Sequence, residues 1–244
     1  MVNTFRHAEV RTKRASTHAM KREIIEYYDR LAPTYDQDRF GNSYGRFVDA
    51  QERRLLGKWL SAERRDVLEI ACGTGRLSNF AQVACDASQE SVKLAQARHP
   101  SVRFVAADAM RLPFRTQSFD AVYGFHLLMH LDRDSVRATL GEASRVLRPG
   151  GIFAGDVLSA ARRRLGARPQ GECSWHGNTA LDSDEFRTLC AEHRLLPMQL
   201  RGLLLLPIQR VPARLRPLLA PVDCWLSARL PSLSSYLIGC FVKR

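Results

Sequence analysis

Asp66-Val-Leu-Glu-Ile-Ala-Cys-Gly-Thr-Gly75 is the stretch that decides the fold of this chain. From Val67 to Ala71, apart from Glu69, it is a short apolar run without alternation, as expected of a strand buried on both faces. The run ends directly in a glycine turn. Gly73 and Gly75 permit positive φ and let a ligand approach bare backbone. N–H groups at the start of a following helix can receive an anion. Such a strand and loop open a parallel sheet, and ligands of these sheets bind beyond the carboxyl ends of the strands.

Working outward, strands and helices alternate. Residues 83–86 read as a second strand. Ser88 then caps a helix that runs to His99-Pro100. Strands follow at 102–106 and 119–125. The next helix is capped by Asp132 or Asp134 and carries Val136, Leu140, Ala143 and Leu147 on its apolar side. Arg148-Pro-Gly-Gly151 stops it, and 152–158 is a fifth strand. Asp182-Ser-Asp-Glu185 resembles a capping box, and 196–206 and 235–242 read as closing strands. This rhythm predicts an α/β fold with a doubly wound, mainly parallel Rossmann-like sheet. Upstream, a helix over 21–38 ends near Pro33, residues 36–45 form a loop, and a second helix covers 46–61. The expected organisation is a flexible basic segment over 1–20 and a single domain over 21–244. Within that domain, 21–62 forms a helical lid and 207–231 a helical insertion.

At 244 residues the chain suits one α/β domain. It carries 37 Lys and Arg against 25 Asp and Glu, a formal net charge of +12. Only five of those bases are lysine, and most are spread along the chain, so the excess reads as compositional. Six scattered cysteines form no Cys-x-x-Cys pair and predict reduced thiols, with no metal. No apolar run approaches the roughly 20 residues of a membrane span. The N-terminal residues lack a signal-type apolar region, which makes the cytoplasm the expected location.

The loop's chemistry narrows the ligand. A dinucleotide fingerprint needs a third glycine where Ser78 stands. Glu69 would sit poorly beside a pyrophosphate and well beside an ammonium group. S-adenosylmethionine carries an ammonium, a carboxylate and no phosphate. Asp86 ends the second strand, where an acid can accept both ribose hydroxyls. Asp108 follows the third strand, where a carboxylate can accept an adenine amino group.

With these pieces assembled, the stretch from about Tyr27 to Val157 resembles the class I S-adenosylmethionine-dependent methyltransferases. The matching motifs are Val67-Leu-Glu-Ile-Ala-Cys-Gly-Thr-Gly75, Asp86-Ala-Ser88, Ala107-Asp-Ala-Met-Arg-Leu-Pro113, Ser118-Phe-Asp-Ala-Val122 and Arg145-Val-Leu-Arg-Pro-Gly-Gly151. The resemblance implies a seven-stranded sheet whose last strand is antiparallel. It implies Glu69, Ala71, Cys72, Gly73 and Gly75 at the methionine moiety. Asp86 and Ala87 belong at the ribose, and Asp108, Ala109 and Met110 at the adenine. Phe125 and His126 are expected on the methyl-transfer face, and S-adenosylhomocysteine is the implied product. In one departure from the family, only ten residues separate Gly75 from Asp86, so the intervening helix must be short or distorted.

Methyl transfer from a sulfonium mainly requires orientation and exclusion of water. If the acceptor must lose a proton, His126 and His130 are the candidate bases, on one face if their segment is helical. Tyr27-Tyr-Asp-Arg-Leu-Ala-Pro-Thr-Tyr-Asp36 resembles the lid of small-molecule methyltransferases. It makes Tyr28, Tyr35 and Arg46 candidates at the cofactor, and Tyr27 a candidate at the acceptor. Trp175 and His176 are further acceptor candidates in a loop after the fifth strand. The Leu- and Arg-rich 207–231 segment reads as a cap, a dimer contact or a membrane-surface helix. Its prolines argue against one long interfacial helix, which favours the cap. The reading that results is a small-molecule methyltransferase, monomer or homodimer, for an apolar or bulky acceptor: lipid-like, quinone-like or a secondary metabolite, by O-, N- or C-methylation. A tRNA or rRNA methyltransferase and a non-catalytic cofactor-binding partner subunit stay open beside it. The absence of an appended RNA-binding module argues against nucleic acid.

Overall fold

The computed structural model describes residues 21–60, 66–165, 177 and 179–244. A helix, α1, runs through 21–31, followed by α2 (Tyr35–Phe40) and α3 (Ser43–Trp59). The alternating part comprises β1 (Val67–Ile70), β2 (Val83–Asp86), α4 (Gln89–Arg98), β3 (Arg103–Ala106), β4 (Phe119–Gly124), α5 (Arg133–Val146) and β5 (Leu147–Ser159). After it come α6 (Ala160–Arg164), β6 (Ala180–Leu181), α7 (Ser183–Ala191), β7 (Leu195–Leu203), α8 (Arg216–Arg229) and β8 (Tyr236–Lys243).

The strands order as β3-β2-β1-β4-β5-β8-β7, and the two-residue β6 pairs with β5. The first five are parallel, whereas β8 runs antiparallel between β5 and β7. The expected mainly parallel sheet with an antiparallel last strand is borne out. All four residues of β1 are buried, because helices cover both of its faces. Leu68, Ile70 and Val122 meet α5 and α7 through Val136, Leu140 and Phe186. Val67, Ala121 and Tyr123 meet α3 through Val48, Leu55, Leu56 and Trp59.

That second layer explains the short β1–β2 connection. It holds only one 3-10 turn, Ser78–Phe80, so no crossover helix covers that part of the sheet. The longer α3, arriving from upstream, takes the place instead.

The helix caps are local and legible. Ser88 accepts the Ser91 N–H at 3.0 Å, and Asp132, not Asp134, accepts the Ser135 N–H at 2.8 Å. Such caps contribute about 1 kcal/mol each. Asp182 departs from expectation. It stands at the N-cap of α7 without bonding its backbone, and its carboxylate receives Arg164 at 2.8 Å instead.

Two further expectations need correction. Residues 36–45 are mostly helical rather than a loop, with 36–40 in α2 and 43–45 opening α3, since the chain turns after residue 31 at Pro33 and starts a new helix. The prolines of 207–231 do not prevent a continuous helix. Pro217 lies in the first turn of α8, where its missing N–H costs nothing. Pro221 lies inside α8 and is tolerated on an exposed position. This segment packs on β7 and, through Arg216 and Ser43, on the start of α3.

Candidate active site

The carboxyl ends of the parallel strands open into a cleft with an empty volume of about 1320 Å³, the open solvent at its mouth included. Its floor is the loop after β1, and its roof is α1 and α2. Lining it are Glu69, Ala71, Cys72, Gly73, Asp86, Ala87, Asp108, Ala109, Met110, Phe125, His126 and His130, together with Tyr28 and Tyr35 from the lid. Residues from the lid and from the ends of four successive strands therefore meet in one place.

The two loop glycines do different work. Both have positive φ, +54° at Gly73 and +84° at Gly75. A Cβ on Gly73 would meet nothing within 4 Å, so this backbone faces open space. A Cβ on Gly75 would lie 3.1 Å from the Ala95 Cβ on α4. Gly75 serves close packing and does not line the cleft. Thr74, between them, was not apparent from sequence. It is buried at the cleft wall, and its hydroxyl has no partner among the described residues.

Glu69 is buried beneath the loop. Burial pushes its carboxyl up to about 8, and its bond from Ser78 and the charge of Arg76 only partly oppose this. Ser78, the residue that breaks the dinucleotide fingerprint, donates its hydroxyl to this carboxyl. Asp86 accepts the Gly73 and Ser88 N–H groups, both at 2.8 Å, and so fixes the loop's shape. Burial raises its carboxyl despite these bonds. Asp108 pairs with Lys21 from α1 and accepts the Met110 N–H at 3.0 Å.

His126 stands at φ +58°, just beyond β4. Its Nε2 is 2.7 Å from Glu52 of α3, and its backbone N–H donates to Asp156 of β5 at 2.6 Å. Burial works against its charge, but the Glu52 and Asp156 carboxylates prevail and raise its pKa. Burial pushes Asp156 up to about 6, whereas His126 and Arg76 overcome burial at Glu52 and lower it. Arg76 reaches both Asp49 and Glu52 at 2.6 Å and lies 3.9 Å over the Phe40 ring of α2. A buried charge chain thus joins lid, loop, β4 and β5. Sequence reasoning missed Glu52, Arg76 and Asp156.

His130 sits in the 3-10 turn Leu128–His130, so it does not share a helical face with His126. Its Nε2 is 3.2 Å from the Tyr28 hydroxyl. Other candidates lie elsewhere. Arg46 is exposed on α3 and donates to the Gly41 carbonyl, away from the cleft. Tyr27 meets Tyr28 edge-on but does not line the cleft. Trp175 and His176 lie outside the described residues. No described residue of 207–231 lines the cleft, so this segment does not cap it.

Residues 67–151 match the family described as "Methyltransferase domain". The match runs from the first residue of β1 into β5. Two methyltransferases are among the proteins similar to this core. A ubiquinone/menaquinone biosynthesis C-methyltransferase of Campylobacter jejuni is 29% identical over 163 residues, 59% of this chain and 66% of that protein. A demethylmenaquinone methyltransferase of Renibacterium salmoninarum is 34% identical over 145 residues, 57% of this chain and 60% of that protein. The chain thus spans less than two thirds of either relative. In fold, the domain superposes on an S-adenosylmethionine-dependent methyltransferase of Thermotoga maritima with a TM-score of 0.67 at 18% identity, covering 90% of this chain and 99% of that one. No helix among the described residues is long and apolar enough to cross a membrane.

Proposed function

We propose that this chain binds S-adenosylmethionine in the cleft and transfers its methyl group to a small apolar acceptor of the quinone type. One observation carries the cofactor reading. Glu69 is a buried carboxyl with no cation bonded to it among the described residues, at the floor of a cleft flanked by Asp86 and Asp108. An ammonium group supplies the missing charge. The Thr74 hydroxyl and the bare Gly73 backbone are available to the same amino-acid moiety. Asp86 retains lone pairs for ribose hydroxyls beyond its backbone bonds. Asp108 can accept an adenine amino group once Lys21 releases it.

When bound, the cofactor supplies an activated methyl group for in-line displacement. The protein's share is orientation and exclusion of water. Tyr28, Tyr35, Phe40 and Ile25 roof the cleft with aromatic and aliphatic surface. His126 is poorly suited to act as a base, because its ring is buried between Glu52 and Asp156, whose carboxylates favour its charged form. It positions the end of β4 instead. Where the acceptor must lose a proton, the Tyr28–His130 pair is the better-placed receiver. The apolar cleft walls and the quinone substrates in the names of the two relatives support a quinone-type acceptor.

Incubation with methyl-labelled S-adenosylmethionine and demethylated quinones of varied chain length, read by mass spectrometry, tests the reading. Label should enter the quinone ring. A properly folded protein that binds no S-adenosylmethionine would overturn the proposal entirely; binding without quinone labelling would overturn the acceptor.

A further inference from the structure

Beyond Glu192 the chain holds a single acid, Asp223, and eight bases. Asp223 is buried and accepts the Leu206 N–H at 2.7 Å. On α8 and its flanks the exposed side is apolar. Leu215, Leu218, Val222 and Trp225 recur at three- and four-residue spacing and therefore share one face. Leu218 is 72% exposed and Trp225 55%, large values for such side chains. Arg229 extends the stripe and lies 4.0 Å over the Trp225 ring.

Trp225 also borders a second cleft, between α3, β7 and α8, away from the cofactor site. This cleft is lined by Arg54, Lys58 and Arg201 as well as Gln51 and Cys224, and by Asp223 as its single acid, which leaves three bases against one carboxylate. None of the three bases is paired with a carboxylate among the described residues. Arg54 and Lys58 stand four apart on α3 and face the cleft together. Unpaired cations gathered beside an exposed Leu, Val and Trp stripe have a specific physical match. Nucleic acid would satisfy the charges and leave the stripe in water. An uncharged protein surface would cover the stripe and strand the cations. An anionic lipid surface satisfies both, because its acyl boundary accepts the stripe and its phosphates accept the bases.

We propose that the α8 face docks on an anionic membrane, with Leu218, Val222 and Trp225 entering the interface and lipid phosphates meeting Arg54, Lys58 and Arg201. This surface shares no residue with the cofactor cleft, so the proposal stands independently of the methyl-transfer reading. The docking is peripheral, since the stripe covers one side of one helix.

Flotation of the full chain with vesicles tests it. The protein should float with vesicles of equal parts phosphatidylcholine and phosphatidylglycerol, stay behind with phosphatidylcholine alone, and be released by high salt. Leu218→Glu should abolish flotation at unchanged thermal stability. The double variant Arg54→Gln/Lys58→Gln, on exposed positions of another helix, should weaken partitioning by about twenty-five-fold, at about fivefold per charge. No flotation of the wild-type chain would overturn the proposal, as would equal flotation of all variants. Salt-resistant dimerisation that Leu218→Glu abolishes would overturn it in favour of a contact between copies. RNA retention that survives Leu218→Glu would overturn it in favour of nucleic acid.

Discussion

Glu69 makes cofactor affinity a function of pH, and the size of the effect can be worked out. A carboxyl titrating at about 8 is mostly protonated at neutral pH. An ammonium group pairs with it only after it ionises, which costs about 1.4 kcal/mol at pH 7. Between pH 6 and pH 7 the ionised fraction of the free protein rises about tenfold, while an α-ammonium stays charged across that window. The association constant for S-adenosylmethionine should therefore rise about tenfold over the same unit. Close to one proton should leave the protein per cofactor bound. Calorimetry in two buffers of different ionisation enthalpy reads that proton directly. Glu69→Gln should abolish both the slope and the proton release, and so separate Glu69 from Asp86 and Asp156 nearby. Methylthioadenosine, which has the nucleoside but no amino-acid end, should bind without the slope. Affinity that is flat from pH 6 to 7 in the wild-type protein, or proton release retained in Glu69→Gln, would refute the pairing.

Other outcomes follow from the same geometry. His126→Gln removes the group that Glu52 and Asp156 share, and because Arg76 still bonds Glu52 the cost should stay below the about 3–5 kcal/mol of a fully broken buried pair. Because the folded pKa of His126 is raised, its contribution is complete below its unfolded value of about 6.5 and fades as pH climbs through the folded one. Melting temperature against pH should lose that slope in the variant. Gly73→Ala should cost about 1–2 kcal/mol for its left-handed backbone and weaken cofactor binding, since its Cβ enters open cleft. Gly75→Ala should cost more stability, because Ala95 must also move; thermal melts with and without cofactor separate the two. Lys21→Ala frees Asp108 and should tighten adenosine binding up to about fivefold, measured by calorimetry at fixed salt.

The parts of the site that were legible in sequence are those built from local signals. The β1 run, its glycine loop and the acids at successive strand ends are fixed by spacing within a few residues. Ser88 and Asp132 announce their caps the same way. What stayed hidden depends on contacts between distant segments. Glu52 and His126 are partners across the sheet, and Arg76 joins them from the loop. A signal for Glu52 did exist. It lies among Val48, Leu55, Leu56 and Trp59 on the apolar side of α3, where a charge needs a partner. Arg46 misled in the opposite sense, since a cation next to a lid is more often solvated than functional. Gly75 could not be told from Gly73, because only the position of Ala95 distinguishes them.

The placement of α3 has a practical consequence for anyone trimming this protein. The segment that matches the methyltransferase family begins at residue 67, which invites a shortened chain starting there. Such a chain would strip Leu56, Trp59 and Val48 from the face of β1 and β4 and bare Tyr123 and Ala121 to water. It would also remove Glu52, leaving His126 and Arg76 as cations without their shared anion. The boundary drawn by sequence similarity and the boundary of cooperative folding are different lines here, and the second lies at least as far upstream as Ser43.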